Sequence, residues 1–270
     1  MGSFMKYKMC VMGMGLMALA GCGGGGGSDS TEDFERNGDG GLSAFEGTWI
    51  RTNDNYYTAN GQTFKLRRQT IVVEQEGDQL RFTDCIEGTS AVATVDNNTV
   101  TFLSAGIPSL QVVNDATLQS TLDFGGAKTD VVLTKVSDET EYRIAELDFD
   151  EPTAVSNWDQ VCVETVLQGS TLIKVKAVDN ASAVSVGLNI VLSGAVSPGQ
   201  YEFPSATQSL DGYLNSVLDV TLFNPTGTLI VTQSSTTDFL LDVEFENDVD
   251  NTLVPVDGSI YFDPVWFAND

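Results

Sequence analysis

The sequence predicts an all-β protein, two antiparallel units carried behind a short leader and a glycine-rich acidic stretch. Three observations predict it. Apolar and polar residues alternate in run after run, as in "FLLDVEFEND", where Phe239, Leu241, Val243 and Phe245 share one face and Asp242, Glu244 and Glu246 the other. That period of two belongs to half-buried strands. Turn residues such as Glu76-Gly77-Asp78, Asp96-Asn97-Asn98 and Gly125-Gly126 part consecutive runs by a few positions, as in a meander of hairpins. No long stretch carries the 3.6-residue period of an amphipathic helix.

The leader comes first. Lys6 and Lys8 make a positive start, and Met9 to Leu19 is an apolar run of about eleven residues, shorter than the ~20 a membrane-spanning helix needs. Followed by small residues, it reads as a secretory signal. Met1-Gly2 is not a myristoylation site, because the sixth position is Lys6 rather than Ser or Thr. Leu19-Ala20-Gly21-Cys22 resembles the lipobox of bacterial lipoproteins at all four positions. The resemblance implies that residues 1–21 are a lipoprotein signal peptide and that Cys22 carries acyl chains, palmitate among them, on its sulfur and its new amino group. Two or more chains anchor a protein stably. Gly23 after the cysteine, in place of Asp, resembles the pattern sorted to the cell outer membrane. The folded part would face the periplasm or the exterior.

Residues 22–43 are then a tether. A glycine-rich chain reaches ~5–6 Å × √n, so the steps from Cys22 to Ala44 give roughly 25 Å of clearance from the bilayer. Asp29, Glu32, Asp33, Glu35 and Asp39, with no apolar period among them, keep the stretch solvated and disordered.

The first β unit runs from 44 to 137. Its strands are read in "QTIVVEQ", "QLRFTDC", "NTVTFL", "ATLQSTLDF" and "DVVLTKV". The entry "FEGTW", with Gly47-Thr48-Trp49 as a Gly-x-Trp pattern, the "IVVEQEGDQLRF" hairpin and the closing "DVVLTKV" resemble the lipocalin-like domains of bacterial lipoproteins. The resemblance covers a little over a third of the chain, with nearer seven strands than eight. It implies a β-barrel or half-barrel whose apolar interior sometimes holds a small hydrophobic ligand, with Trp49 packed at the barrel base. Phe64, Phe82, Phe102 and Phe124 fall on strand patterns as core residues.

Residues 138–168 bridge to the second unit, and "EPTAVSNWDQV" has room for one helical turn after Pro152. The second unit, 169–270, shows "TLIKVKAVD", with Ile173, Val175 and Ala177 opposite Lys174 and Lys176, then "VSVGLNIVL", "GQYEF", "GTLIVTQ" and "GSIYFDPVWF". "YLNSVLDVTLFN" lines up Leu214, Ser216, Leu218, Val220 and Leu222 as one strand. About 227 residues suit one large β domain or two of about 100, and two is the preferred division. The 169–270 unit resembles the small Ig-like β-sandwiches of surface lipoproteins, a likeness of fold alone.

Charge narrows the function. The chain has no histidine and a net charge of −25, and from Cys22 onward 11 Lys and Arg face 38 Asp and Glu, 11 − 38 = −27. Such a surface repels nucleic acid and phosphate. Triads built on histidine are impossible, and no phosphate-binding loop, dinucleotide fingerprint or paired CxxC motif is present. Cys10 leaves with the signal and Cys22 is acylated, so Cys85 and Cys162 remain to bond to each other in an oxidising compartment. From Ala177 to Asp270 there are 13 Asp and Glu and no Lys or Arg. Glu244 and Glu246 on one strand face, with Asp248, Asp250 and Asn251 in the turn beyond, offer the clustered oxygens that hold Ca²⁺; the alternative is a solvated acidic edge that discourages aggregation. No other cofactor is expected.

The function expected is therefore a non-catalytic binding module on the outer membrane, engaging a small molecule, a glycan or an envelope protein. A purely structural envelope lipoprotein is the alternative, and an enzyme a distant third. Its contacts would be the membrane through the lipid anchor and a small hydrophobic ligand or envelope protein, with no nucleic acid.

Overall fold

The computed structural model describes residues 41–57, 63–124, 127–151, 157–215, 219–234, 236–262 and 266–267, all within one compact unit. The signal peptide, Cys22 and nearly all of the tether lie outside the described residues, as do the side chains of Phe64 and Phe124.

A 3-10 turn, Ser43–Phe45, leads into eight strands: β1 (Gly47–Tyr57), β2 (Thr63–Glu76), β3 (Gln79–Asp84), β4 (Ser90–Asp96), β5 (Thr99–Phe102), β6 (Leu110–Asn114), β7 (Thr117–Phe124) and β8 (Ala127–Ser137). Each pairs antiparallel with the next, and β8 returns to β1 from Thr48↔Ser137 to Asp54↔Asp130. The ring is closed, which removes its free edges. The half-barrel alternative and the count nearer seven thus give way to eight strands. Those not picked out in the sequence, β4 and β6, alternate only weakly.

Local chemistry sets the closure. Gly47 has φ +130°, and a Cβ there would meet Ser137 O at 2.1 Å, so the glycine of Gly-x-Trp is where β1 and β8 press together. Asn97 and Asn98, both with positive φ, form the tight turn that joins β4 to β5, a conformation Asn tolerates. Trp49 is fully buried and its Nε1 donates to Phe45 O at 3.0 Å, while Lys135 Nζ donates to Ala44 O at 2.9 Å. The 3-10 turn is thereby tied across the barrel base. Above it lie Val73, Leu80, Ala93, Val100 and Leu118, all buried in one cluster.

Nine further strands stand outside the ring: β9 (Ala145–Glu151), β10 (Gln160–Leu167), β11 (Ser170–Asp179), β12 (Val184–Ser193), β13 (Gly199–Phe203), β14 (Ser209–Asn215), β15 (Asp219–Gln233), β16 (Thr237–Asn247) and β17 (Leu253–Phe262). They form one continuous ladder, β10-β11-β12-β14-β15-β16-β17-β9, with β13 on the second half of β15. Its two ends meet again where Arg143 bridges Val161 and Ile144 N donates to Val161 O at 3.1 Å. A single ladder that returns on itself replaces the two facing sheets of the expected Ig-like sandwich. One core runs through it, from Ile173, Val175 and Ala177 to Phe239, Leu241, Val243 and Phe245, the faces that alternation assigned.

Two further expectations change. The stretch 138–168 supplies β9 and β10 and so belongs to this second assembly. Residues 152–156 of the expected helical turn lie outside the described residues, and Gln160 begins a strand. "YLNSVLDVTLFN" is not one strand: Leu214 pairs with Val220 and Asn215 with Asp219, so the chain folds back there. An alternating pattern reads the same through two paired strands as through one, and no Gly or Pro stands between Asn215 and Asp219 to separate them; residues 216–218 lie outside the described residues.

The two assemblies share β2. Its residues Ile71 to Glu76 pair with β3, whereas Leu66 to Gln69 pair with β10. Thr70 sits at the branch, where its Oγ1 donates to Val163 O at 3.0 Å and accepts from Val163 N at 2.9 Å. Its carbonyl accepts from Cys85 N at 3.1 Å.

Candidate functional site

The barrel is packed at its base and hollow toward the other end, where a cup of about 540 Å³ opens. That lies within the ordinary size range of small-molecule sites, ~300–1,000 Å³. Chain direction explains its place. The base holds the short turns at Gly77 and Asn97-Asn98, while the opposite end holds the longer β3–β4 and β5–β6 connections. Ile71, Phe82, Phe102, Leu110, Val131 and Leu133 line the cup's apolar wall, and Ile107 and Pro108 reach over it from the β5–β6 loop. Phe82 and Phe102 meet edge to face at 5.1 Å.

The mouth is polar because inward positions change character along the strands. On β1 the inward row runs Trp49, Arg51, Asn53; on β2 it runs Val73, Ile71, Gln69, Arg67. Register sets Arg51 opposite Gln69 and Asn53 opposite Arg67. Gln69 Nε2 donates to Asp84 Oδ2 at 2.6 Å, and Asp84 Oδ1 accepts from the N–H groups of Ile86 and Glu87 at 3.0 and 3.1 Å. This fixes the β3–β4 loop as a rim.

The rim's charges are matched across the junction. Arg67 Nε donates to Glu164 Oε1 at 2.7 Å, and Lys174 reaches Glu87 at 2.5 Å and Glu164 at 3.3 Å. The Lys174 bond holds the Glu87 carboxyl below the usual carboxylate range. Burial works against the charge on Lys174, yet its bonds to Glu87 and Glu164 outweigh that and raise its pKa. Six of the 11 cationic residues after Cys22 (Arg51, Lys65, Arg67, Arg68, Lys174 and Lys176) lie on β1, β2 and β11 around this junction. Arg68, on the opposite face of β2, is buried and donates to Trp266 O at 2.7 Å in the second assembly.

Two amides of this region keep unused hydrogen-bonding groups. Gln69 is 2% exposed and its Oε1 has no protein partner; Asn53 is 1% exposed and neither its Oδ1 nor its Nδ2 has one. A buried polar group left unpaired costs about 1–3 kcal/mol, so the fold retains these amides against their stability cost.

The expected sites fare as follows. Cys85, on the rim loop, and Cys162, on β10, form a disulfide across 77 residues with Cα atoms 5.8 Å apart, and it ties the rim to the second assembly. Cys22 lies outside the described residues. Of the residues assigned to Ca²⁺, Asp250 holds the β16–β17 turn and Asp248 ties it to β15. Asp250 Oδ1 accepts from Thr252 N, Thr252 Oγ1 and Asn247 Nδ2, and Asp248 Oδ1 accepts from Thr221 N. These bonds lower both carboxyl pKa values, through the Thr252 hydroxyl at Asp250 and the Thr221 N–H at Asp248. Glu246 accepts from Asn224 at 2.9 Å, Glu244 stands exposed on β16, and Asn251 is in the turn with φ 57°. Among the described residues no three His, Cys, Asp or Glu are grouped to hold a metal ion. Sequence reading missed Arg51, Asn53, Gln69 and Asp84, although the spacing Trp49, Arg51, Asn53 already marked an inward row that turns polar.

Comparison of the chain with protein-family models, with curated proteins and with solved structures finds no match.

Proposed function

We propose that this protein is an outer-membrane-anchored lipoprotein whose barrel is a non-catalytic binding module for a small amphipathic molecule. The observation that carries the reading is the cup: apolar walls of Phe82, Phe102, Leu110 and Leu133 beneath a polar mouth, inside a closed ring. A few convergent polar groups over an apolar cavity are the usual composition of a small-molecule site. The anchor rests on Leu19-Ala20-Gly21-Cys22 and the signal before it. Cys22 would hold the module at the bilayer, where amphipathic molecules concentrate, and the tether would let the cup face away from the head groups.

The test uses the full chain carrying Cys22→Ser, which is expected to move from the membrane to the soluble fraction. A neutral fluorescent probe, N-phenyl-1-naphthylamine, should bind it saturably at one site. Ala91, which lines the cup, becomes a plug in Ala91→Trp, and probe affinity should fall by about tenfold or more. Unchanged affinity in a folded Ala91→Trp chain would remove the cup as the site, and undiminished membrane retention of Cys22→Ser would remove the anchor.

A further inference from the structure

We infer that the cup selects a neutral head group that both donates and accepts hydrogen bonds, a primary amide or a hydroxyl-bearing head on an apolar chain, over a carboxylate of the same length. The inference rests on the cup being a binding site and names what it would take. Its first support is the charge balance of the mouth. Arg67 and Lys174 are met by Glu164 and Glu87, and Asp84 is met by Gln69 and two backbone N–H groups, while Arg51 has an interaction of its own although its buried Nε makes no hydrogen bond. A carboxylate head drawn to Arg67 or Lys174 would have to take that cation from its carboxylate partner, and a cationic head would have to take an anion. Either exchange spends a pairing to gain one.

The second support is independent. Gln69 lines the cup and offers an unused acceptor, Oε1; Asn53, just beyond the cup's lining on the same inward row of β1, offers an unused acceptor and an unused donor. Gln69 faces Arg51 across the β1–β2 ladder and Asn53 faces Arg67, so Asn53 and Gln69 are diagonal neighbours on one inward face, ~7–8 Å apart at the backbone. An amide spans such a diagonal. Its N–H would donate to Gln69 Oε1 and its carbonyl would accept from Asn53 Nδ2, while the chain runs down past Ile71 and Val131 to Phe82 and Phe102. A carboxylate has no proton for Gln69 Oε1 at neutral pH and would set two acceptors together. A site built to hydrogen-bond a donor rejects the analogue without one more strongly than apolar contacts discriminate chain length.

The experiment is calorimetric titration of the full Cys22→Ser chain at neutral pH with decanamide and with decanoate, both below micelle-forming concentrations. Decanamide should bind about tenfold tighter or more. Gln69→Leu and Asn53→Leu, made separately so that poor folding of one leaves the other readable, should each bring the two ligands within about threefold, with the folding of each variant checked by its urea midpoint. Decanoate binding as tightly as decanamide would overturn the head-group selection yet leave the cup standing. An amide preference that survives both substitutions would also overturn it, placing recognition elsewhere. If neither decyl compound nor the naphthylamine binds, the binding-module reading itself falls.

Discussion

The barrel and the second assembly are built from the same antiparallel strands, yet among the described residues the barrel is hollow at its mouth and the other holds the larger apolar core. Among the described residues, 12 buried apolar side chains make the barrel core and 31 make the other. The inward rows show why. On β16 the buried row runs Phe239, Leu241, Val243 and Phe245, polar only at its end positions Thr237 and Asn247, whereas on β1 it turns from Trp49 to Arg51 and Asn53. Apolar burial contributes roughly 25 cal/mol per Å², so the second assembly carries most of the stability. The barrel gives up burial at its mouth and gains a cup. Binding sites are commonly drawn from the less stable part of a fold, and here the two parts are joined by β2, the Thr70 branch and one disulfide.

The largest test of this division compares two phenylalanines. Phe239 is fully buried between Phe262, 5.1 Å away, and Phe267, 6.0 Å away. Phe239→Ala should cost about 3–5 kcal/mol, because it leaves a cavity in a closed core. Phe82 forms the wall of an existing hollow, and Phe82→Ala should cost no more than about 2 kcal/mol, mostly lost transfer energy. Urea unfolding midpoints measure both. Equal losses would mean that the barrel is as dependent on packing as its neighbour, and the division would be wrong.

Next in size is the staple. Replacing Cys85 and Cys162 by Ser should lower stability by roughly 2–4 kcal/mol. The sharper readout is local. Amide hydrogen exchange should quicken most from Asp84 to Ser90, the rim that the disulfide and Thr70 hold, and least along β16. A uniform acceleration across both assemblies would show that the bond acts only on the unfolded chain and does not shape the cup.

Much of this architecture was legible in the sequence, for reasons that particular residues show. The faces of β11 and β16 could be read because one side of each meets a core and the other meets water. The Cys85–Cys162 pair could be read by elimination. β10, "QVCVETVL", could not, because it is buried on both faces between β2 and β11 and so carries no clean alternation. The hairpin after Asn215 was hidden by a pattern that has no direction. The cup's polar residues were hidden for a different reason: Arg51 and Gln69 face inward where polar side chains are ordinarily found outside. Only a closed ring with too little apolar matter to fill it gives those positions a meaning.

The smallest effect concerns the ion pair where the two assemblies touch at the rim. Glu87 on the β3–β4 loop faces Lys174 of β11, with Arg67, Lys176 and Glu164 close by. Its carboxyl is held below the usual range by the Lys174 bond, so folding favours its ionised form. The stability it contributes is therefore full above its unfolded pKa, ~4.3, and is lost as pH falls through the lower folded value. Lys174, raised by the same partners, contributes stability that is full below the ordinary lysine value of ~10.4 and is lost only as pH rises through its folded pKa. Between about pH 5 and 10 the pair is intact. Both side chains are partly exposed, 49% for Glu87 and 27% for Lys174, so solvent screening limits its worth to about 1 kcal/mol or less. Glu87→Gln should thus be less stable than the parent by up to that amount at pH 7, and the difference should shrink as pH falls below the unfolded value of ~4.3 and through the lower folded one. The quantity to follow is the difference in urea midpoint between the two chains across that range. A difference that does not shrink as the pH is lowered until the chain unfolds would mean that the substitution acts through packing, and that no ion pair ties the cup's rim to the second assembly.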